Sequence, residues 1–291
     1  MGNTECCTGD GSGGQVVADA DVYLGEGANK VDGRVSGLVS KRVELEGGAI
    51  YDGQWLGDMQ HGHGILSEPD RGTYEGQWES GSRHGVGKYV YANDTVYEGQ
   101  YRADMKHGKG TMICPARDGE MRVEGSSYEG DWVCDLQDGK GVERWSDGSL
   151  YEGGFQKGMK HGQGKFQWAQ NCQYEGQFLE NDMHGTGSYT WADGRSYSGQ
   201  WERNTMQGEG LMRYADGRVY EGSFVAGKKH GHGSLRWADG RSYVGQWQEG
   251  HQHGRGVATT AKGRSRLSEW ANGKWIRWIE EEKANEAQPA A

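Results

Sequence analysis

Histidine is the residue type in this chain best suited to chemistry, and its placement argues against chemistry. Seven of the ten imidazoles (His61, His84, His107, His161, His184, His230 and His253) recur at one position of a repeated frame, immediately before a glycine present in every copy. A half-exposed ring in that setting bonds local backbone, which is the ordinary work of a polar turn residue. Three H-x-H pairs, His61/His63, His230/His232 and His251/His253, would put two imidazoles on one strand face. Two ligands make half of a zinc site, so a symmetric dimer would have to supply the others, and we assign neither a metal nor a cofactor. The carboxylates of Glu75, Glu98, Glu129, Glu152, Glu175 and Glu221 each follow a tyrosine at regular intervals. An even ladder of acids lies along a surface, whereas acid–base catalysis needs a tuned pair in a cleft. The chain carries no phosphate-cradling loop, nucleophile elbow, HExxH helix or kinase signature, so we assign no catalytic residue and read a non-enzymatic protein.

Two other sets of residues could act on a membrane. The chain begins Met-Gly-Asn-Thr-Glu-Cys-Cys. Gly2 is a candidate for myristoylation once Met1 is removed, although the usual Ser or Thr at the sixth position is Cys6 here. One acyl chain binds only marginally, and palmitate on Cys6 and Cys7 would make the anchor stable. That combination places the chain on the cytoplasmic side of a plasma or cortical membrane. The second set is basic. The net charge is -10, yet residues 220–265 hold Lys228, Lys229, Arg236, Arg241, Arg255, Lys262 and Arg264 against Glu221, Asp239 and Glu249. Such a basic end could meet anionic lipid headgroups, while the acidic whole speaks against nucleic acid. The cysteine count is odd, and Cys114, Cys134 and Cys172 share no zinc spacing. We therefore expect a reducing compartment and no structural disulfide, with a chance proximity of Cys114 and Cys134 as the exception.

The elements that must position these groups come from a repeat. A 23-residue frame opens at Tyr51, Tyr74, Tyr97, Tyr128, Tyr151, Tyr174, Tyr197, Tyr220 and Tyr243, with one longer interval of 31 residues after Tyr97. Counting the tyrosine as position 1, positions 3, 12 and 14 are always glycine and position 5 is always aromatic. Position 18 is aromatic in Tyr91, Trp145, Trp168, Trp191, Tyr214 and Trp237. A fixed period of this size indicates a stacked array, and its periodic glycines mark bends and close backbone crossings. Asp147-Gly148, Asp193-Gly194, Asp216-Gly217 and Asp239-Gly240 read as two-residue hairpin turns, and the segment from position 6 to position 11 as a looser return. The expected fold is all-β: an elongated, single-layer, twisted antiparallel sheet of repeated hairpins. A mean hydropathy of -0.94 suits a single sheet with aromatic ladders better than a two-layer core.

The phrases YEGQW, HGKGTM and YADGRVYEGSF resemble MORN repeats (membrane occupation and recognition nexus), and the resemblance spans residues 51 to about 278. It departs at the excess between Cys114 and Ser127, and where Asp138 and Gln207 replace the usual histidine. The boundaries we expect are a flexible, acylated tether at 1–25, cap strands at 26–50, nine repeats at 51–265, a capping half-repeat at 266–279 and an acidic tail at 280–291. Trp270, Trp275 and Trp278 should cover the final hairpin. The expected function is a membrane-tethered scaffold that holds a helix or strand of a partner protein on a concave, glycine-floored face. Its contact residues would be Tyr151, Phe155, Trp168, Tyr174, Phe178, Trp191, Tyr197, Trp201, Tyr214, Tyr220, Phe224, Trp237, Tyr243 and Trp247. The resemblance implies two alternatives, a structural component of the cytoskeleton or cilium and direct phosphoinositide binding by the basic repeats, and it also makes an antiparallel homodimer plausible.

Overall fold

The computed structural model describes residues 30–31, 34–35, 37–116 and 125–280. Gly2, Cys6, Cys7, most of the acidic tail and the centre of the insertion after Cys114 lie outside the described residues. The chain divides after Gly158 into two units, each an antiparallel meander of hairpins. A 3₁₀ turn at Glu46–Gly48 is the one helical element among the described residues, and no helix there is long and apolar enough to cross a membrane.

Each repeat is one hairpin. In the eighth, Val219–Val225 pairs with Lys228–Arg236, which pairs in turn with Ser242–Gln248 of the ninth. Gly222 lies opposite Gly233, and Gly233 opposite Gly245, so positions 3 and 14 form a continuous row of glycine across neighbouring strands. The row exists because the tyrosine ring lies flat across it. A Cβ placed on Gly233 would stand 2.5 Å or less from the phenolic oxygen of Tyr220. That oxygen donates its hydrogen bond to the Ser223 carbonyl at 3.1 Å, and every opening tyrosine makes the same bond three residues on.

Edge-to-face packing carries the core. Tyr220 meets Phe224 of its own repeat and Trp247 of the next, both with centroids 5.2 Å apart and planes near perpendicular. The same alternation runs through Tyr51, Trp55, Trp78, Tyr74 and Tyr101 in the first unit. Pairs of this geometry contribute about 0.5–1.5 kcal/mol each beyond the area they bury. A single sheet thereby holds a core without a second layer, because each ring fills the space its glycine neighbours leave empty.

Both turns differ from the expected ones. The return between positions 6 and 9 is tight: Ala226 and Gly227 have φ of 49° and 76°, the two-residue geometry that matches strand twist. The Asp-Gly turns are the longer ones. Trp237 accepts from Gly240 N–H at 3.0 Å while its own N–H reaches the Arg241 carbonyl, which closes a three-residue loop in which only Gly240 has positive φ. The Asp239 carboxylate spans that loop, accepting from Arg241 N–H at 3.1 Å and from its Nε at 2.7 Å.

At the amino-terminal side Leu38–Glu44 pairs with Ile50–Leu56 of the first repeat, and Lys30–Val31 pairs separately with Arg34–Val35. At the other end Ser265–Ala271 and Lys274–Trp278 form a tenth, shortened hairpin. Trp270 occupies position 5 there and packs on Tyr243 at 5.6 Å. Ser268 replaces the glycine of position 3, and its hydroxyl, fully buried, donates to the Gly256 carbonyl at 2.7 Å. Trp275 and Trp278 do not cover this hairpin as expected; they remain 47% and 42% exposed on the last strand.

Candidate functional site: an aromatic and cationic face

At two repeats the histidine is a hydrogen-bond acceptor, whereas the Nδ1 atoms of His184 and His230 are buried with no partner among the described residues and that of His84 meets Glu79 at 3.2 Å. His61 Nδ1 accepts from Ser80 N–H at 3.4 Å, and His253 Nδ1 from Asn272 N–H at 3.5 Å, each at the tight turn of the following repeat. Asp138 and Gln207 do the same with oxygen, accepting from Lys157 and Ala226 N–H at 3.0 Å. Asp138 and Gln207 therefore tie one repeat to the next as His61 and His253 do. Among the described residues no cluster of three or more His, Cys, Asp or Glu is placed to hold a metal. Cys134 and Cys172 are free thiols, so the suggested Cys114–Cys134 pair does not form. Cys114 itself is disulfide-bonded, against the expectation of no structural disulfide.

The expected contact residues separate into two groups. Tyr151, Phe155, Tyr174, Phe178, Tyr197, Trp201, Tyr220, Phe224, Tyr243 and Trp247 are the core, with exposures of 0 to 6%. Their rings are consumed by packing on one another and offer no contact area. Burial pushes the hydroxyls of Tyr174, Tyr197 and Tyr243 up to about 12. Trp168, Trp191, Tyr214 and Trp237 are different, since they start the longer loops and are half-buried. Phe166 stacks on Trp168 at 4.4 Å, and Tyr189 tilts against Trp168 and Trp191 at 5.3 and 4.6 Å, which makes a partly open aromatic surface in the second unit.

Position 10 was not foreseen from sequence. The tight turn sets it opposite position 5, so Lys229 faces Phe224 and Met206 faces Trp201 on the aromatic side of the sheet. In successive repeats of the second unit it is Lys160, Met183, Met206, Lys229 and Gln252. Lys229 Nζ lies 4.4 Å from the Trp247 ring, 5.5 Å from Tyr220 and 5.9 Å from Tyr214. In the first unit Lys106 lies 4.8 Å from Trp132, and Arg83 stands over Tyr74, Tyr89 and Tyr101 while binding Asp104 at 3.2 Å. Reading the segment as a loose return hid this row; the Gly, Asn or Asp that stands at position 8 in every repeat was the signal.

The basic residues near the carboxyl terminus do not form one patch. Lys228 pairs with Glu249 at 2.5 Å and Arg241 with Asp239 at 2.7 Å, while Arg255 lies across from Glu269. Arg236, Lys262 and Arg264 are exposed. Of the seven, Lys229 stands among the core rings, and Arg241 lies over the Trp237 ring at 5.6 Å.

Comparison with known proteins agrees with the repeat. The model described as "MORN repeat" matches residues 51–73, 74–96, 97–118, 128–150, 151–173, 174–194, 197–217, 220–240 and 243–263. No curated protein matches the chain. Among solved structures, the SAS-4 (dCPAP) TCP domain of Drosophila melanogaster, in complex with a proline-rich motif of Ana2, is 11% identical over 64% of this chain and 90% of its own, with a TM-score of 0.33. The G-box domain of the microcephaly protein CPAP is 11% identical over 72% of this chain and 100% of its own, with a TM-score of 0.37. Likeness at that level carries no argument about function. With nine matched repeats covering most of its length, the chain belongs to the MORN-repeat family.

Proposed function

We propose that the protein is a non-enzymatic scaffold that binds a partner protein on the half-exposed aromatic face of repeats five to eight. One observation carries this reading: Trp168, Trp191, Tyr214 and Trp237 are large rings that the core column does not use, left half-buried in register. Beside them Met183 and Met206 supply adaptable, polarizable area. Rigid aromatic rings give broad contact at low entropic cost, and a row of them suits the apolar stripe of a partner helix or strand.

In this proposal the scaffold is tethered to a membrane by myristate on Gly2 and palmitate on Cys6 and Cys7, because two acyl chains are needed for stable anchoring. The test has two arms, both on the full chain expressed in cells. A Trp168→Ala, Trp191→Ala, Trp237→Ala variant should keep its membrane fraction and lose the proteins that copurify with the parent. A Gly2→Ala, Cys6→Ser, Cys7→Ser variant should do the reverse. Retention of all partners by the first variant would refute the face, and unchanged membrane partitioning of the second would refute the anchor.

A further inference from the structure

Tyr101 breaks the pattern of its position. Every other ring at position 5 is Trp or Phe, and the indoles of Trp78, Trp132, Trp201 and Trp247 each donate to a glycine carbonyl at 3.0 to 3.2 Å. Tyr101 is 4% exposed, and its hydroxyl oxygen is buried with no hydrogen-bond partner among the described residues. An unpaired buried hydroxyl costs stability, so its presence in one repeat calls for a partner from outside the chain. Its neighbours are exceptional as well. Arg83 on strand Ser82–Tyr91 and Lys106 on strand Met105–Cys114 flank it: the guanidinium lies 5.5 Å from the Tyr101 ring, and Lys106 stands directly opposite Tyr101 across the strand pair. Only here do two successive repeats both carry a cation at position 10. Arg83 uses Nε and Nη2 on Asp104, at 3.2 and 3.0 Å, which leaves Nη1. Lys106 Nζ touches rings, 4.8 Å from Trp132 and 5.6 Å from Tyr97, and the Tyr91 hydroxyl makes no hydrogen bond among the described residues. After burial, Tyr91 and Arg83 are the groups that act most on the Tyr101 hydroxyl. Burial lowers the Lys106 ammonium, Asp135 opposes that shift, and the like charge of Arg83 adds to it. Four donors without an acceptor thus gather on the aromatic side of the first unit.

We propose that this cluster is a carboxylate-binding site whose occupant is a Glu or Asp side chain of a partner protein. Arg83 Nη1, Lys106 Nζ and the hydroxyls of Tyr91 and Tyr101 supply the donors, and an ionised carboxylate has about four lone-pair sites on its two oxygens. Asp104 and Asp135 decide the charge of the guest. Each accepts a main-chain N–H at a tight turn, from Arg83 at 2.9 Å and from Lys106 at 2.8 Å, and both are exposed there. Two cations backed by two such acids favour a guest with one negative charge over a doubly charged phosphate group. The half-exposed side chains of Tyr91 and Lys106 are those that shift for the guest to reach the Tyr101 hydroxyl. The face is open, so a lone carboxylate would hold weakly and the rest of the partner segment must cover the surrounding rings.

The experiment uses the full-length protein and a fluorescein-labelled hexaglutamate peptide, read by anisotropy at low salt, with hexaglutamine as the uncharged comparison. Hexaglutamate should bind and hexaglutamine should not, although the protein's net charge of -10 repels the acidic peptide. Tyr101→Phe removes only the hydroxyl and should weaken binding about tenfold, the worth of one hydrogen bond to a charged group. Its melting temperature should stay level or rise, since an unpaired buried group is lost. Lys106→Met, which carries the side chain that Met183 and Met206 have at the same position, should abolish binding and keep the fold by circular dichroism. Lys88→Met, next to buried Tyr89 and so on the opposite face of the same strand as Arg83, should bind as the parent does. Failure of the parent to bind hexaglutamate overturns the proposal, as does equal binding by the parent, Tyr101→Phe and Lys106→Met. A fall in the melting temperature of Tyr101→Phe overturns it too, because the hydroxyl would then have a partner within the chain. Displacement of the peptide by inorganic phosphate at a lower concentration than acetate overturns the choice of a carboxylate. The measurement concerns the first unit, so its result does not depend on whether a partner binds repeats five to eight.

Discussion

The phenolic oxygen of Tyr220 stands 2.3 Å from where a Cβ on Gly233 would have to be, so one side chain occupies the space that the other gives up. The pair is repeated at Tyr174 and Gly187, Tyr197 and Gly210, and Tyr243 and Gly256. Glycine at position 14 is thus a consequence of the ring at position 1.

Gly233→Ala should therefore destabilise the second unit severely. The added methyl meets a buried ring on one side of a closed hydrogen-bond ladder, and overpacking of this kind typically costs about 1–3 kcal/mol. Gly194→Ala is the comparison: a Cβ there meets nothing within 4 Å, and only its φ of 85° is strained. Left-handed strain alone is worth roughly 1–2 kcal/mol. Thermal or urea unfolding of the two variants should rank Gly233→Ala as the more damaging; the opposite order would refute the proposed origin of the glycine row.

Positions 1, 3, 5 and 14 were legible in the sequence because they are invariant in type across nine copies and each type has a narrow geometric meaning. The turns were not. Position 7 holds Ser80, Ala103, Cys134, Lys157, Glu180, Arg203, Ala226 and Glu249, all at positive φ, and none of these residue types announces that conformation. Tertiary pairing imposes it, since strands already in register leave only two residues for the reversal. Without that turn the register of position 10 was hidden, and with it the site of Lys229. Exposure was misjudged for a related reason: alternation tells which face a ring is on, but not that each ring is covered by the ring of the next repeat.

The acceptor at position 11 gives a substitution rule. Gln207 Oε1 receives Ala226 N–H at 3.0 Å, and histidine fills that role elsewhere. Gln207→His, which keeps an acceptor at the position as His61 and His253 do, should cost less than a substitution that removes it. Gln207→Leu, which keeps much of the side chain's volume and removes the acceptor, should cost about 0.5–1.5 kcal/mol, the net worth of one hydrogen bond. Chemical denaturation of both variants separates an acceptor requirement from a packing one, since equal losses would point to packing.

The two aromatic groups should respond differently to truncation. Trp247 is 4% exposed, and its indole N–H donates to the Gly233 carbonyl at 3.0 Å. Trp247→Ala should cost about 3–5 kcal/mol, as large aromatic deletions in cores do. Trp191→Ala removes a half-buried ring outside the column and should cost less than half as much, while reducing partner capture if the proposed face is correct. Circular dichroism melts and copurification on the same pair of variants measure both effects.

The buried tyrosines set an alkaline limit on the fold. Burial raises Tyr51, Tyr174, Tyr197 and Tyr243 from an ordinary 10 to about 12 in the folded chain. The folded state thus holds these protons more tightly than the unfolded state, and the unfolded chain ionises first. The stabilisation is fully present below pH 10 and is lost as pH rises from 10 toward 12, where stability falls with each unit. Partly open tyrosines such as Tyr214 are also raised by burial, but Arg218 beside it opposes the shift. Absorbance at 295 nm should accordingly show few phenolates forming near pH 10, followed by a steep step that coincides with loss of the β signal in circular dichroism. A smooth titration of all tyrosines near pH 10 with the fold intact would mean that the rings are reached by solvent, and the column could not then be the core.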